Sequence, residues 1–296
     1  MKQEVIGFIG FGEVAQAFTH ALTPMGHKVL AYDHNISPNS PRGMAKLQKA
    51  QGDGIILSDN LGLVVRGSRY IISTVTPAGS REIALNAAQH MAPGQVFFDL
   101  NSSAPVVKEQ MGEEFAARGL DFVDGAIMGS PVSTGLKTTI LASGRCGKEK
   151  LGALPDVFNI SWMGDRVGRA SAVKMCTSIV TKGLQAILWE EALLARFWQV
   201  EDEVCANLTR LFDNRSFSWW REYSLGSSAI HAGRRAEEMN MAIQTLCAAG
   251  IPVHLSTGIR DTMAWLAGMG LREHYQGEQP EDLDQLVGMV FAGLGP

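Results

Sequence analysis

GFIGFGEVAQAF, residues 7–18, is an apolar run that breaks at two glycines and then resumes with apolar side chains at helical spacing. Val5-Ile6-Gly7-Phe8-Ile9 has the composition of a buried strand, while Val14, Ala17, Phe18, Ala21 and Leu22 fall on one face of a helix. Between them, Gly10-Phe11-Gly12-Glu13-Val14-Ala15 fits G-x-G-x-x-G/A in the strand–turn–helix context that gives the pattern meaning. Gly10 permits the tight turn, Gly12 lets another group approach the backbone, and Ala15 lets helix and strand pack closely. The start of such a helix carries unpaired N–H groups and the positive end of the helix dipole. The segment Gly10, Phe11, Gly12, Glu13 and Val14 is therefore predicted to hold a pyrophosphate.

The next strand is predicted over residues 28–33 and ends at Asp33-His34, about twenty residues beyond the glycines, where an acid accepts both ribose hydroxyls of an adenosine. NAD is the predicted cofactor and NADP the alternative. A 2'-phosphate would face the Asp33 carboxylate, and Arg42, in the Pro-containing loop from His34 to Gly43, would offset part of that repulsion.

Working outward, short β-rich runs alternate with helical patterns up to about Met163: residues 55–57, 70–74, 96–99, 121–126, 138–142 and 160–163 follow the two strands already named. Parallel strands need crossovers, so this alternation predicts an α/β domain over residues 1–167 whose sheet is mostly parallel, with helices on both faces in a doubly wound arrangement. Beyond Gly168 the apolar period lengthens to three and four, as in Val173, Ile179, Val180, Leu184, Ile187 and Leu188. Residues 168–296 are predicted to be an all-α helical domain, with helices over 169–200, 201–212, 228–249 and 252–266.

At 296 residues and 32.0 kDa the chain has room for two domains. Its net charge of −4 arises from intermixed acids and bases, so neither nucleic acid nor a membrane surface is an expected partner. Residues 1–4 lead into a short glycine-broken segment unlike a secretion signal, and a cytoplasmic location is expected. Cys146, Cys176, Cys205 and Cys247 lack paired spacing and are expected to be mostly buried thiols, and no metal-ligand motif is present.

Taken in order, the glycine turn, STVTPAG (73–79), FFDLNSSAP (97–105), DGAIMGSP (124–131) and GRASAVKM (168–175) resemble the β-hydroxyacid dehydrogenase family, which includes 3-hydroxyisobutyrate dehydrogenase and 6-phosphogluconate dehydrogenase. The resemblance spans the chain, and HAGRRAEEM (231–239) is similar to a segment of phosphogluconate-dehydrogenase-like proteins of unassigned substrate. It implies a Rossmann domain, a helical domain that pairs into a homodimer, a small-molecule substrate and an NAD-linked reaction. It also implies that Val75 and Thr76 lie along the cofactor, that Asn101, Ser102 and Ser103 stand near nicotinamide and substrate, and that Lys174 is the catalytic lysine. The chemistry independently asks for such a group, because removing hydride from a carbinol carbon requires the hydroxyl proton to leave as well.

The sequence departs from the family at three places. The polar amide usually found one turn after the lysine is replaced by hydroxyls, with Ser178 and then Lys182 on the face of Lys174. The substrate-gripping serine falls on Met128, leaving Gly129 and Ser130 to bind through backbone and hydroxyl groups. The lysine of the helical domain falls on Glu237, and positive charge has moved upstream to His231, Arg234 and Arg235, of which an arginine would grip a carboxylate or phosphate or else join a solvated ion network. Phe217, Trp219, Trp220 and Tyr223 form an aromatic cluster suited to core or dimer contact. The expected reaction is hydroxyl–carbonyl interconversion on a small anionic substrate. Imine reduction and turnover-free NAD sensing are the alternatives.

Overall fold

The computed structural model describes residues 4–295, so residues 1–3, read above as unlike a secretion signal, and Pro296 lie outside the described part. The chain divides into two compact units, one ending at Ile179 and one starting at Val180.

In the first unit strands and helices alternate as β1 (Val5–Ile9), α1 (Glu13–Leu22), β2 (Lys28–Tyr32), α2 (Pro41–Gly52), β3 (Ile56–Ser58), α3 (Leu61–Arg66), β4 (Tyr70–Ser73) and α4 (Ser80–Ala88). They continue as β5 (Val96–Asp99), α5 (Pro105–Ala116), β6 (Asp121–Met128), a short α6 (Pro131–Thr134), β7 (Thr139–Ser143), β8 (Ile160–Trp162) and α7 (Arg169–Trp198). The sheet order is β3-β2-β1-β4-β5-β6-β7-β8. The first six strands are parallel, β7 is antiparallel to β6, and β8 is parallel to β7. The strand order reverses between β1 and β4, and in an open parallel sheet that reversal places the ligand crevice at the carboxyl ends of those strands.

β4 and β5 are buried at every residue, as expected for strands covered on both faces. Successive side chains supply opposite cores: Phe8, Ile72 and Phe98 join Phe18 and Phe158 on one side, while Ile9, Ile71 and Phe97 join Phe115 and Phe122 on the other. The loop over residues 34–43 is shorter than predicted, because Pro41 starts α2 and the Ser40 hydroxyl accepts the Gly43 N–H at 3.0 Å.

The second unit holds the end of α7, then α8 (Glu201–Phe212), α9 (Phe217–Ala248), α10 (His254–Ala267), α11 (Leu271–His274) and α12 (Leu283–Ala292). α9 begins well before the predicted residue 228: the Ser216 hydroxyl accepts the Trp219 N–H at 3.2 Å, a cap that starts the helix despite its aromatic first turn. α12, absent from the predicted helices, is likewise capped by Asp282, which accepts the Gln285 N–H at 3.0 Å. Trp219 stacks on Tyr223 and Trp220 packs at a tilt against Phe212, forming the aromatic cluster, while Phe217 stays exposed.

The cysteines correct an expectation, for Cys146 is half-buried and Cys176, Cys205 and Cys247 are exposed, the last three lying on outward faces of helices. Among the described residues no helix is long and apolar enough to cross a membrane, and no cluster of three or more potential ligands is placed to hold a metal ion.

Candidate active site

The glycine turn sits at the reversal of the sheet. Gly10 has φ of +90°, and a Cβ there would approach the Thr74 carbonyl oxygen to 2.7 Å, so no other residue fits without displacing the end of β4. Its N–H donates to the Tyr32 carbonyl at 2.8 Å, and the Thr74 hydroxyl donates to the Gly10 carbonyl at 3.0 Å, fixing the turn to both neighbouring strands. Gly12, which precedes α1, is different: a Cβ there would meet no atom within 4 Å. That open space lies at the first turn of α1, where N–H groups lack intrahelical partners, and suits a pyrophosphate. Glu13 is exposed beside it, and Val14 packs against the core. Phe11 is fully buried and gives its N–H to Asp33 at 2.9 Å, so its contribution is to the shape of the turn.

A cleft of about 380 Å³ opens beside the turn, lined by Gly10, Asp33, His34, Val75 and Thr76 together with Glu82, Ile83 and Asn86 of α4. The three α4 residues are absent from the predicted site, although their spacing puts them on one helix face. Asp33 is 6% exposed. Burial alone would raise its pKa, but hydrogen bonds from Lys46 and from the Asn35 and Phe11 N–H groups outweigh it and hold the carboxyl below its ordinary value. His34 is exposed, with its ring Nε2 2.8 Å from the Asn35 amide.

Across the crevice the segment after β5 meets α7. Lys174 Nζ donates to Ser102 Oγ at 2.8 Å. Ser103 is buried and shares a 2.9 Å hydrogen bond with Ser80, which anchors the segment to α4. Asn101 is also buried: its amide donates to Ser73 Oγ at 2.8 Å and to Asp99, leaving its carbonyl oxygen without a hydrogen-bond partner among the described residues. Met128 packs against Ala126, Leu141 and Ala170, the last of these one turn before Lys174 on α7. Gly129 follows, and Ser130 precedes α6 with its hydroxyl exposed.

Both sides of the Lys174–Ser102 contact rest on one buried ion cluster that sequence reasoning missed. Lys108 of α5 is 0% exposed, with Nζ 3.0 Å from Asp99 and 3.4 Å from Asp124. Asp99 accepts the Asn101 N–H at 3.1 Å and so holds the segment bearing Ser102. Asp124 accepts the Ser171 N–H at 3.0 Å and its hydroxyl at 2.5 Å, while Ser143 accepts the Ala170 N–H at 3.1 Å, fixing the first turn of α7 and hence Lys174. The available signal was Lys108 at a core-facing slot of α5, in step with Met111, Gly112 and Phe115.

The remaining predicted residues lie elsewhere. Ser178 is half-buried one turn beyond Lys174, and Lys182 is exposed a further turn along α7, past the boundary between units. His231 and Arg234 are on α9 in the second unit. Arg234 is exposed and paired with Glu238, the arrangement of a solvated ion network, while Arg235 donates to Ser227 Oγ at 2.7 Å.

The fold and the glycine turn define an NAD(P)-binding oxidoreductase of the dehydrogenase and reductase class. The sequence pattern of the NAD binding domain of 6-phosphogluconate dehydrogenase matches residues 5–160, and that of a domain of unknown function matches residues 195–266. The chain belongs to the β-hydroxyacid dehydrogenase-like family. An uncharacterized 28.5 kDa protein in the 7S RNA 5' region of Methanothermus fervidus is 27% identical over 241 residues, which are 79% of this chain and 87% of that one. A conserved protein of unknown function, whose structure is described as similar to 3-hydroxyacid dehydrogenases, is 30% identical with a TM-score of 0.59 over 90% of this chain and 98% of that one. An imine reductase variant from Myxococcus stipitatus in complex with NAD+ is 17% identical, with a TM-score of 0.76 over 98% of this chain and 100% of that chain, a likeness of fold.

Proposed function

We propose that the protein interconverts a hydroxyl and a carbonyl on a small anionic substrate, with Lys174 as the acid–base group. One observation carries this reading: the Lys174 ammonium already grips an oxygen, Ser102 Oγ at 2.8 Å, in the way it would grip the oxygen of a reacting carbinol or carbonyl. Bound NAD(P) supplies the hydride acceptor or donor. Gly10, Gly12 and the first turn of α1 would hold its pyrophosphate, Asp33 and His34 its adenosine ribose, and Val75, Thr76 and Asn101 its nicotinamide half.

In the oxidative direction the uncharged Lys174 amine takes the hydroxyl proton as hydride leaves the same carbon. In the reductive direction the ammonium polarises the carbonyl and returns the proton to its oxygen. Ser102, the Gly129 backbone and Ser130 would position the substrate, and Ser178 would add a hydroxyl one turn along α7. Met128 would supply an apolar wall where a hydrogen-bonding serine is usual, so the substrate is expected to differ from a simple hydroxy acid at that end. Ser103 supports the segment from below. The exposed apolar side chains of α7, Ile179, Leu184, Leu188 and Trp189, would offer a surface for assembly into a homodimer.

The test is a panel of hydroxy acids, sugar acids and cyclic imines with oxidised and reduced NAD and NADP, followed by nicotinamide absorbance, on the unmodified protein and on Lys174→Ala. Turnover of a hydroxy or sugar acid that Lys174→Ala abolishes is the expected result. Turnover confined to imines, or a fully active Lys174→Ala, would overturn the reading.

A further inference from the structure

A preference for NAD over NADP requires a free charge on Asp33, and Lys46 cancels that charge. Lys46 forms an ion pair with Asp33 Oδ2, and both side chains are largely shielded from solvent. Lys46 lies on the core-facing side of α2 in step with Gly43 and Ala50, where an apolar residue of similar volume would avoid the desolvation of an ammonium. A lysine at such a position needs a role, and the carboxylate it meets is the one aimed at the adenosine ribose.

The acceptor capacity of Asp33 sharpens the point. A carboxylate offers about four acceptor sites. Oδ2 receives the Phe11 N–H at 2.9 Å and the Lys46 ammonium, and Oδ1 receives the Asn35 N–H at 2.8 Å. One site on Oδ1 remains, enough for a single ribose hydroxyl, so the two-hydroxyl grip that selects NAD is not available. An added 2'-phosphate would meet a neutralised pair beside the exposed His34 and Asn35.

We propose that Lys46 is a specificity-determining residue of the cofactor site: by cancelling the charge of Asp33 it lets the adenosine subsite take a 2'-phosphate as well as a free ribose hydroxyl, so that the protein uses both NADP and NAD. The inference rests on the NAD(P) site and is independent of the substrate. A merely structural Lys46, fastening α2 to the end of β2, would affect both dinucleotides alike.

The test is calorimetric titration of the full-length protein with NAD+ and NADP+, without substrate. The unmodified protein is expected to bind the two within about ten-fold of each other, and Lys46→Met to weaken NADP+ by about ten-fold or more while changing NAD+ by less than about three-fold, because the uncancelled carboxylate then faces the phosphate. Asp33→Asn, which leaves the ammonium unopposed, is expected to shift the ratio the other way, and Lys46→Met/Asp33→Asn, which removes both charges, to bring it back. Should Lys46→Met fail to fold, comparison of Asp33→Asn with the double variant still reads the charge of Lys46, and an NAD+/NADP+ ratio identical in the two would overturn the inference. Equal weakening of both dinucleotides by Lys46→Met, an unchanged ratio, or rejection of NADP+ by the unmodified protein would overturn the inference. Failure of the unmodified protein to bind either one would overturn the cofactor site itself.

Discussion

Lys174 and Ser102 come from segments more than seventy positions apart, and their contact is the smallest unit that carries chemistry. Replacing Lys174 by alanine is expected to lower kcat by roughly 10²–10⁴, the usual worth of a positioned acid–base group, with NAD(P) affinity changed by less than about three-fold. Steady-state kinetics alongside cofactor titration would check the split, and comparable losses in both would place Lys174 in the cofactor site. At this scale the sequence was informative where a motif carried the residue and silent where a fold-made partner did. Gly10, Gly12, Asp33 and Lys174 all stand in recognisable local patterns. Lys46 and Lys108 look like ordinary lysines of amphipathic helices until Asp33, Asp99 and Asp124 are brought against them. Asp99 and Asp124 face each other only through the β5–β6 register, which no spacing reveals.

Among the elements, α7 is tied to its surroundings at two places by carboxylates. Near its start Asp124 holds Ser171. Farther along, the buried Glu190 of α7 caps α10, accepting the Leu255 N–H at 2.6 Å and the Ser256 N–H at 3.0 Å and its hydroxyl at 2.5 Å. Burial pushes the Glu190 pKa upward, but these donors outweigh it, and the net value lies below that of an ordinary glutamate. Its stabilising contribution is therefore present above the unfolded value of about 4.3 and lost as pH falls through the folded one. Glu190→Gln is expected to cost about 0.5–2 kcal/mol at neutral pH, the range of a helix cap, and progressively less in acid. Thermal unfolding across pH would show this as two curves that converge at low pH, and parallel curves would refute the cap's charge. The helices predicted from periodicity were largely correct, but the start of α9 at Ser216 was misplaced and α12 after Asp282 was missed, because at both a short polar side chain caught a free N–H and began a turn that apolar spacing does not mark.

Across the whole molecule the α/β-then-α order was legible from the change in apolar period. The direction of β7 and β8 was not, because a short apolar strand reads the same whichever way it runs. The burial of the three exposed cysteines was also misjudged, since their helices expose far more apolar surface than a solvated helix normally does. Along α7, Ile179 is 75% and Trp189 72% exposed, with Phe197 and Trp198 also outward. A second copy of the chain is expected to cover the α7 part of this surface. Light scattering should give a dimer mass, and Trp189→Glu should shift it toward the monomer. A monomeric unmodified protein would refute the pairing.

The buried cluster around Lys108 has a thermodynamic signature of its own. One ammonium stands between two carboxylates with no access to water, an arrangement that couples hydrogen-ion binding to folding. Burial raises the pKa of Asp99 above its ordinary value despite the pull of Lys108. Between the unfolded value of about 3.9 and the higher folded one, the native chain binds more of that ion than the denatured chain, and stability drains away as pH climbs through this window. Heat absorbed on melting should then vary with the ionisation enthalpy of the buffer, and Asp99→Asn should remove that dependence.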